Sequence, residues 1–98
     1  MSTVKSPQAV LALRLYIAGA APTSVRAIAN AKAICQEHFA SAHELEIVDV
    51  QWHATRAMAD GVIVTPTLLK LRPVPAQRLV GDLSDTAQVM LTLLGSAR

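Results

Sequence analysis

Leu11-Ala12-Leu13-Arg14-Leu15-Tyr16-Ile17-Ala18-Gly19-Ala20-Ala21-Pro22-Thr23-Ser24-Val25 is the stretch on which the fold turns, because the hydrophobic period changes within it. Over residues 10–18 the side chains alternate. Leu11, Leu13, Leu15 and Ile17 fall on one side, and Ala12, Arg14 and Tyr16 on the other. A period of two predicts a strand with one wholly apolar face. Gly19, Pro22 and two hydroxyls follow, a turn in which Thr23 or Ser24 is placed to cap a helix. From Val25 the period lengthens. Val25, Ile28, Ala31, Cys35 and Phe39 form a stripe opposite Arg26, Asn30 and Gln36, so an amphipathic helix runs to about Phe39.

Downstream, residues 45–50 (Leu45-Glu46-Ile47-Val48-Asp49-Val50) read as a second strand. Strand, long helix and strand in so short a span make a βαβ unit, whose right-handed crossover sets the two strands parallel. Residues 51–62 carry alanines and Met58 with weak periodicity, a short helix ending near Gly61. Pro66 pushes Thr65 towards an extended conformation, and residues 67–71 read as a third strand. Pro73-Val74-Pro75-Ala76 is a tight connection to a fourth strand over residues 77–81, and a link that short implies an antiparallel hairpin. Asp82-Leu83-Ser84-Asp85 then starts a last helix with Val89, Met90, Leu93 and Leu94 on one face, Asp85 and Gln88 being spaced for a capping box. The order β-α-β-α-β-β-α, parallel in its first half and antiparallel in its second, is thioredoxin-like.

Composition narrows the function. The chain has 98 residues, 52% of them hydrophobic and 16% charged, with a net charge of +2 and a mean hydropathy of +0.37. That describes one folded domain, with its ordered core over about residues 10–95, and excludes a disordered chain. A domain of this size buries roughly 60–65% of its unfolded surface, so self-association into a dimer or tetramer is a natural supplement to its stability. Arg14, Lys70 and Arg72 interrupt the most apolar runs, leaving none long enough for a membrane helix. The first seven residues hold no hydrophobic signal core, so a cytoplasmic location is expected. Scattered Lys and Arg with three aromatic residues provide neither a phosphate-tracking stripe nor a stacking platform, which argues against nucleic acid as a partner.

Candidate chemistry is sparse. Cys35 is the one cysteine, too few for an internal disulfide, a two-cysteine redox centre or a zinc site, and it lies on the apolar stripe where a buried, inert thiol is expected. His38, His43 and His53 lack ligand spacing and read as surface residues. Asp82 and Asp85 fall where caps and turns need them, and no phosphate loop or catalytic-triad motif is present. No catalytic residue, metal or cofactor is therefore expected. Trp52 either covers the end of the core or anchors an interface, and its place just past the second strand favours the core. Redox-active thioredoxins carry Cys-x-x-Cys just after the first strand; here Ala18-Gly19-Ala20-Ala21-Pro22-Thr23 holds no cysteine. Thr65-Pro66-Thr67 matches the Thr-Pro before their third strand, where the proline is cis, although an ordinary trans proline fits the local pattern as well.

Three stretches together resemble the KaiB family. They are Leu13-Arg14-Leu15-Tyr16-Ile17-Ala18-Gly19 with Pro22-Thr23-Ser24-Val25-Arg26-Ala27; Ile47-Val48-Asp49-Val50; and Val64-Thr65-Pro66-Thr67-Leu68-Leu69-Lys70 with Arg78-Leu79-Val80-Gly81-Asp82-Leu83-Ser84. The resemblance implies a non-enzymatic regulator that binds a KaiC-like hexameric ATPase, competes with a histidine-kinase sensor, SasA, and interconverts between two folds. One is the thioredoxin-like form; the other is a tetrameric ground state ordered β-α-β-β-α-α-β. By resemblance, Arg26, Glu46, Gly61, Lys70 and Arg78 face partners, while Gly19, Pro22, Pro66, Pro73, Pro75, Gly81 and Asp82 define the fold. The sequence departs from clock members of the family: Val74 replaces the middle of three prolines, Glu46 and Gly61 replace lysines, and Thr92 and Leu94 replace a glycine and an aspartate. Those changes fit a divergent KaiB-like paralogue. Two alternatives follow from the fold, an oxidoreductase using Cys35 alone and a sensor domain like the N-terminal part of SasA, the latter expected to be followed by a linker and kinase segment.

Overall fold

The computed structural model describes residues 11–94, so Val10 and the two chain ends lie outside it. The elements run β1 (Leu11–Ile17), α1 (Pro22–His38), β2 (His43–Asp49), α2 (Ala54–Ala59), β3 (Thr67–Arg72), β4 (Gln77–Val80) and α3 (Thr86–Leu93). They form one sheet of order β2-β1-β3-β4, with β1 and β2 parallel and the β1–β3 and β3–β4 pairs antiparallel. This is the thioredoxin-like order, not the alternative β-α-β-β-α-α-β.

The alternation of β1 divides the molecule into two unequal apolar layers. Leu11, Leu13, Leu15 and Ile17 enter the main core with Ala27, Ala31, Ile34 and Cys35 of α1, and Val89 and Leu93 of α3. Tyr16, on the other face, joins Val48, Ala57 and Leu69 in a smaller cluster roofed by α2. A central strand buried on both faces explains the nearly unbroken burial of β1 and β3.

Local chemistry sets the element ends, in places differently from the sequence expectation. α1 begins at Pro22, three residues before Val25, because proline suits the first helical position: its φ is already helical and its missing N–H is not needed there. Neither Thr23 nor Ser24 caps the helix. Ala21 holds the cap position, and the buried Ser24 Oγ reaches back to accept from the Ala18 N–H at 3.0 Å. The buried stripe is Ser24, Ala27, Ala31, Ile34 and Cys35, leaving Val25 half exposed. α3 starts at Thr86 rather than Asp82, with the Asp85 carboxylate accepting from the Gln88 N–H at 3.2 Å as its spacing predicted. Leu94 is exposed instead of facing the core.

The turns carry further departures. Trp52 is 79% exposed and covers nothing: the Asp49 carbonyl accepts from its N–H in a tight turn after β2 that swings the indole outward. Gly61 ends α2 at φ +70, a conformation that costs a side-chain-bearing residue steric strain, so glycine belongs there. Peptide bonds preceding Pro66, Pro73 and Pro75 are all cis. Gly81 N–H donates to the Pro66 carbonyl at 2.9 Å, closing the end of the β3–β4 hairpin opposite the proline-rich connection.

Candidate partner-binding surface

Because α2 is short, the sheet face beneath it is only partly roofed, and charged side chains fill the margin. Arg14 projects from β1 on the Tyr16 face and bridges two carboxylates: its Nε donates to Glu46 on β2 at 2.8 Å and its Nη1 to Asp60 at the end of α2 at 2.9 Å. Arg56 of α2 meets the other oxygen of Glu46 at 2.8 Å. Tyr16 Oη lies 2.5 Å from Asp60 Oδ2 and 3.1 Å from the Arg56 carbonyl, and its single O–H donates to the nearer, charged acceptor. Arg78 of β4 completes the group by donating to the carbonyls of Asp60 and Gly61 at 2.9 and 3.0 Å.

The charges settle one another. Hydrogen bonds from Arg14 and then Arg56 hold the Glu46 carboxyl below its ordinary range. Asp60 is lowered chiefly by the hydrogen bond from Tyr16, against a smaller opposing effect of burial. Arg14 is driven further towards its charged form by Glu46 and Asp60, and Tyr16 is raised by desolvation and then by Asp60. Each of these four groups is thereby held in the form it carries at neutral pH, so the network is one of fixed, paired charge.

The five residues singled out as partner-facing separate into three situations. Glu46, Gly61 and Arg78 meet in this network through Arg14 and Asp60. Arg26 lies apart, on α1, where its Nε pairs with Asp82 at 3.0 Å beyond β4, at the sheet edge opposite β2. Lys70 is 1% exposed, and its ammonium has no hydrogen-bond partner among the described residues. It sits across from Leu13 on the core face of β3 and presents nothing to solvent in this fold. Sequence reasoning missed Arg14, Arg56 and Asp60; the only available signal was a charged residue at the centre of an apolar strand, which calls for a counter-charge.

The turn where redox-active thioredoxins hold their cysteines is made here of Gly19, Ala20, Ala21 and Pro22. Cys35 lies on the core side of α1, 1% exposed, and burial pushes its thiol pKa up. His43 is more than a surface residue: its Nδ1–H donates to the Phe39 carbonyl at 2.8 Å, tying the end of α1 to the start of β2. No helix among the described residues is long and apolar enough to cross a membrane.

Residues 14–94 match the family model described as the KaiB domain. The chain is 46% identical over 83 residues to the circadian clock protein KaiB3 of Synechocystis sp., covering 85% of this chain and 81% of that protein. It is 40% identical over 88 residues to the circadian clock oscillator protein KaiB of Synechococcus elongatus, covering 90% and 86% respectively. Among solved structures it is similar to the N-terminal domain of Synechococcus elongatus SasA, with a TM-score of 0.73, 27% identity and coverage of 99% and 98%. The thioredoxin Deadhead of Drosophila melanogaster superposes with the same TM-score at 16% identity, over 90% of this chain and 84% of that one, a likeness of fold alone. A family match over this span, with relatives at this identity along most of their length, places the chain in the KaiB family.

Proposed function

We propose that this protein is a non-enzymatic regulator that works by binding other proteins, with a KaiC-like ATPase as its main partner in a clock or stress-response system. The observation that carries this reading is the 46% identity to a protein named for the circadian clock, along most of both chains. The cysteine-free turn at residues 19–22 and the buried Cys35 support it, because a thiol–disulfide reaction requires an accessible thiolate. Partner contacts are assigned to Glu46, Gly61 and Arg78 on the α2 side and to Arg26 beyond β4, with Lys70 reachable only if β3 is uncovered. The protein is cytoplasmic and self-associates as a dimer or tetramer when no partner is bound.

A pull-down against a purified KaiC-type hexameric ATPase tests the reading. Wild type is captured; Arg26→Glu weakens capture without changing the fold measured by circular dichroism, and Glu46→Lys, which places the lysine of clock members there and frees Arg14 and Arg56, changes capture while the sheet stays folded. Unchanged capture in the double variant rejects the surface assignment, and no capture of wild type at any concentration rejects the partner. The likeness to the SasA domain favours a histidine-kinase sensor as competitor, so the isolated SasA domain should displace this chain from the ATPase.

A further inference from the structure

We propose that α2 and the turn behind it form an ionic strap, held on the sheet chiefly by charge and opening independently of the rest of the fold as ionic strength rises. A six-residue helix does not hold its own shape in water. α2 lacks a side-chain cap at His53 and buries only Ala57 among its residues. Beside the partly buried Val62, which packs on the Tyr16 cluster, its remaining anchors are polar: Tyr16 to Asp60, Arg14 to Asp60, Arg56 to Glu46, and Arg78 to the carbonyls of Asp60 and Gly61. Three of these four attachments depend on an arginine, and none depends on the main core.

Exposure decides how they respond to salt. The side chains of Arg14, Asp60, Arg56 and Glu46 are 25%, 26%, 40% and 46% exposed, so mobile ions reach every pair and screen it. The β1–β3 ladder and the cluster beneath α1 are held by backbone hydrogen bonds and apolar burial, which salt does not screen. Raising ionic strength therefore loosens α2 and leaves the core in place. The opened state uncovers Tyr16, Val48 and Leu69, a compact apolar face of the sheet. This inference concerns how the fold opens and does not rest on the identity of any partner.

Native-state hydrogen exchange on the full chain, followed by NMR, tests it. The reporters are the amides of Ala57, Asp60, Gly61 and Val62, whose acceptors lie within residues 53–58. Between about 0.05 and 0.5 M sodium chloride these amides should exchange about tenfold faster, while Leu15 and Ala31 keep their rates. In Asp60→Asn the same four amides should exchange faster already at low salt and show a smaller salt response, since of the ion pairs on α2 only Arg56–Glu46 remains. Should that variant fail to fold, Tyr16→Phe, which keeps the ring and removes the hydroxyl, should move the same amides in the same direction. Salt-independent exchange of α2 in wild type overturns the proposal. So does a salt response shared equally by Leu15 and Ala31, or a full wild-type salt response in Asp60→Asn.

Discussion

Arg26 Nε lies 3.0 Å from Asp82 Oδ2, joining the N-terminal part of α1 to the loop between β4 and α3, 56 residues further along the chain. The two partners are unequal. Arg26 is 56% exposed at its side chain and makes this one hydrogen bond among the described residues, whereas Asp82 also accepts from the Ser84 N–H at 3.0 Å, and its carbonyl accepts from Asn30 at 2.8 Å. An exposed pair contributes little by itself, while a carboxylate that shapes a turn is harder to replace. Arg26→Ala should therefore barely move the urea midpoint, and Asp82→Ala should lower it clearly. Equal midpoints for the two variants would count against a turn-forming role for Asp82.

Lys70 carries the opposite lesson. Its ammonium is buried without an acceptor among the described residues, beside Leu13 on the core face of β3. A polar group in that position opposes folding, and methionine keeps the stem while removing the charge. Lys70→Met should raise stability by about 1 kcal/mol, a gain of about 4–8 °C in melting temperature for a domain of this size. A fall in melting temperature would show that Lys70 holds a partner and stabilises the fold. If Lys70→Met also loses capture by the ATPase, the residue serves binding at a cost in stability.

How much of this was legible in the sequence follows from where the physics is local. The period-two run of β1, the four-residue link to β4 and the Asp85 cap are short-range signals, and each placed its element correctly. The buried stripe of α1 was shifted because several of its members are small: Ser24, Ala27 and Ala31 allow the helix to lie close to the sheet, and hydrophobicity alone favours the larger Val25. Trp52 misled for the same reason, its size suggesting core while a tight turn turned it outward. Leu83 adopts φ +66 while 5% exposed, and no pattern marks a leucine for the left-handed region; burial of its side chain overrides the local preference. The α2 network joins residues up to 46 positions apart, a distance over which spacing carries no information.

Cys35 gives a direct test of the oxidoreductase alternative. With the thiol buried and its pKa raised by desolvation, little thiolate is available at pH 8. Reaction with a disulfide reagent should be about a hundredfold slower in the native protein than in urea, in proportion to the population of opened molecules. Insulin should not be reduced. Native labelling as fast as in urea, accompanied by turnover, would restore the redox reading.

Gly19 combines two constraints that a double substitution separates. Its φ is +54, and a Cβ there would lie 2.9 Å from Oε1 of Gln51. Gly19→Ala should cost about 1–2 kcal/mol, nearly all of it from the backbone, because the exposed Gln51 side chain can swing clear of the new Cβ. Gln51→Ala removes the contact and leaves the backbone strain, so the double variant should recover little of the loss. Full recovery would assign the whole cost to Gln51.

Acid should weaken the α2 side of the sheet, and the sign follows from the carboxylates. Glu46 and Asp60 both titrate below their ordinary values in the folded state, Glu46 chiefly through Arg14 and Asp60 chiefly through Tyr16. A depressed folded pKa means the unfolded chain binds protons first as pH falls, so the stabilisation is complete above the ordinary carboxyl range of about 4–4.5. It is lost as pH drops through that range towards the folded values. Both side chains are partly exposed, which limits the combined effect to about 1 kcal/mol. Urea unfolding at pH 7 and pH 3 should show wild type losing more stability than Glu46→Gln, in which one of the two carboxylates no longer titrates, while Glu37→Gln, on the solvent side of α1, should follow wild type. If Glu46→Gln loses as much as wild type between those two pH values, the acid sensitivity arises elsewhere in the chain.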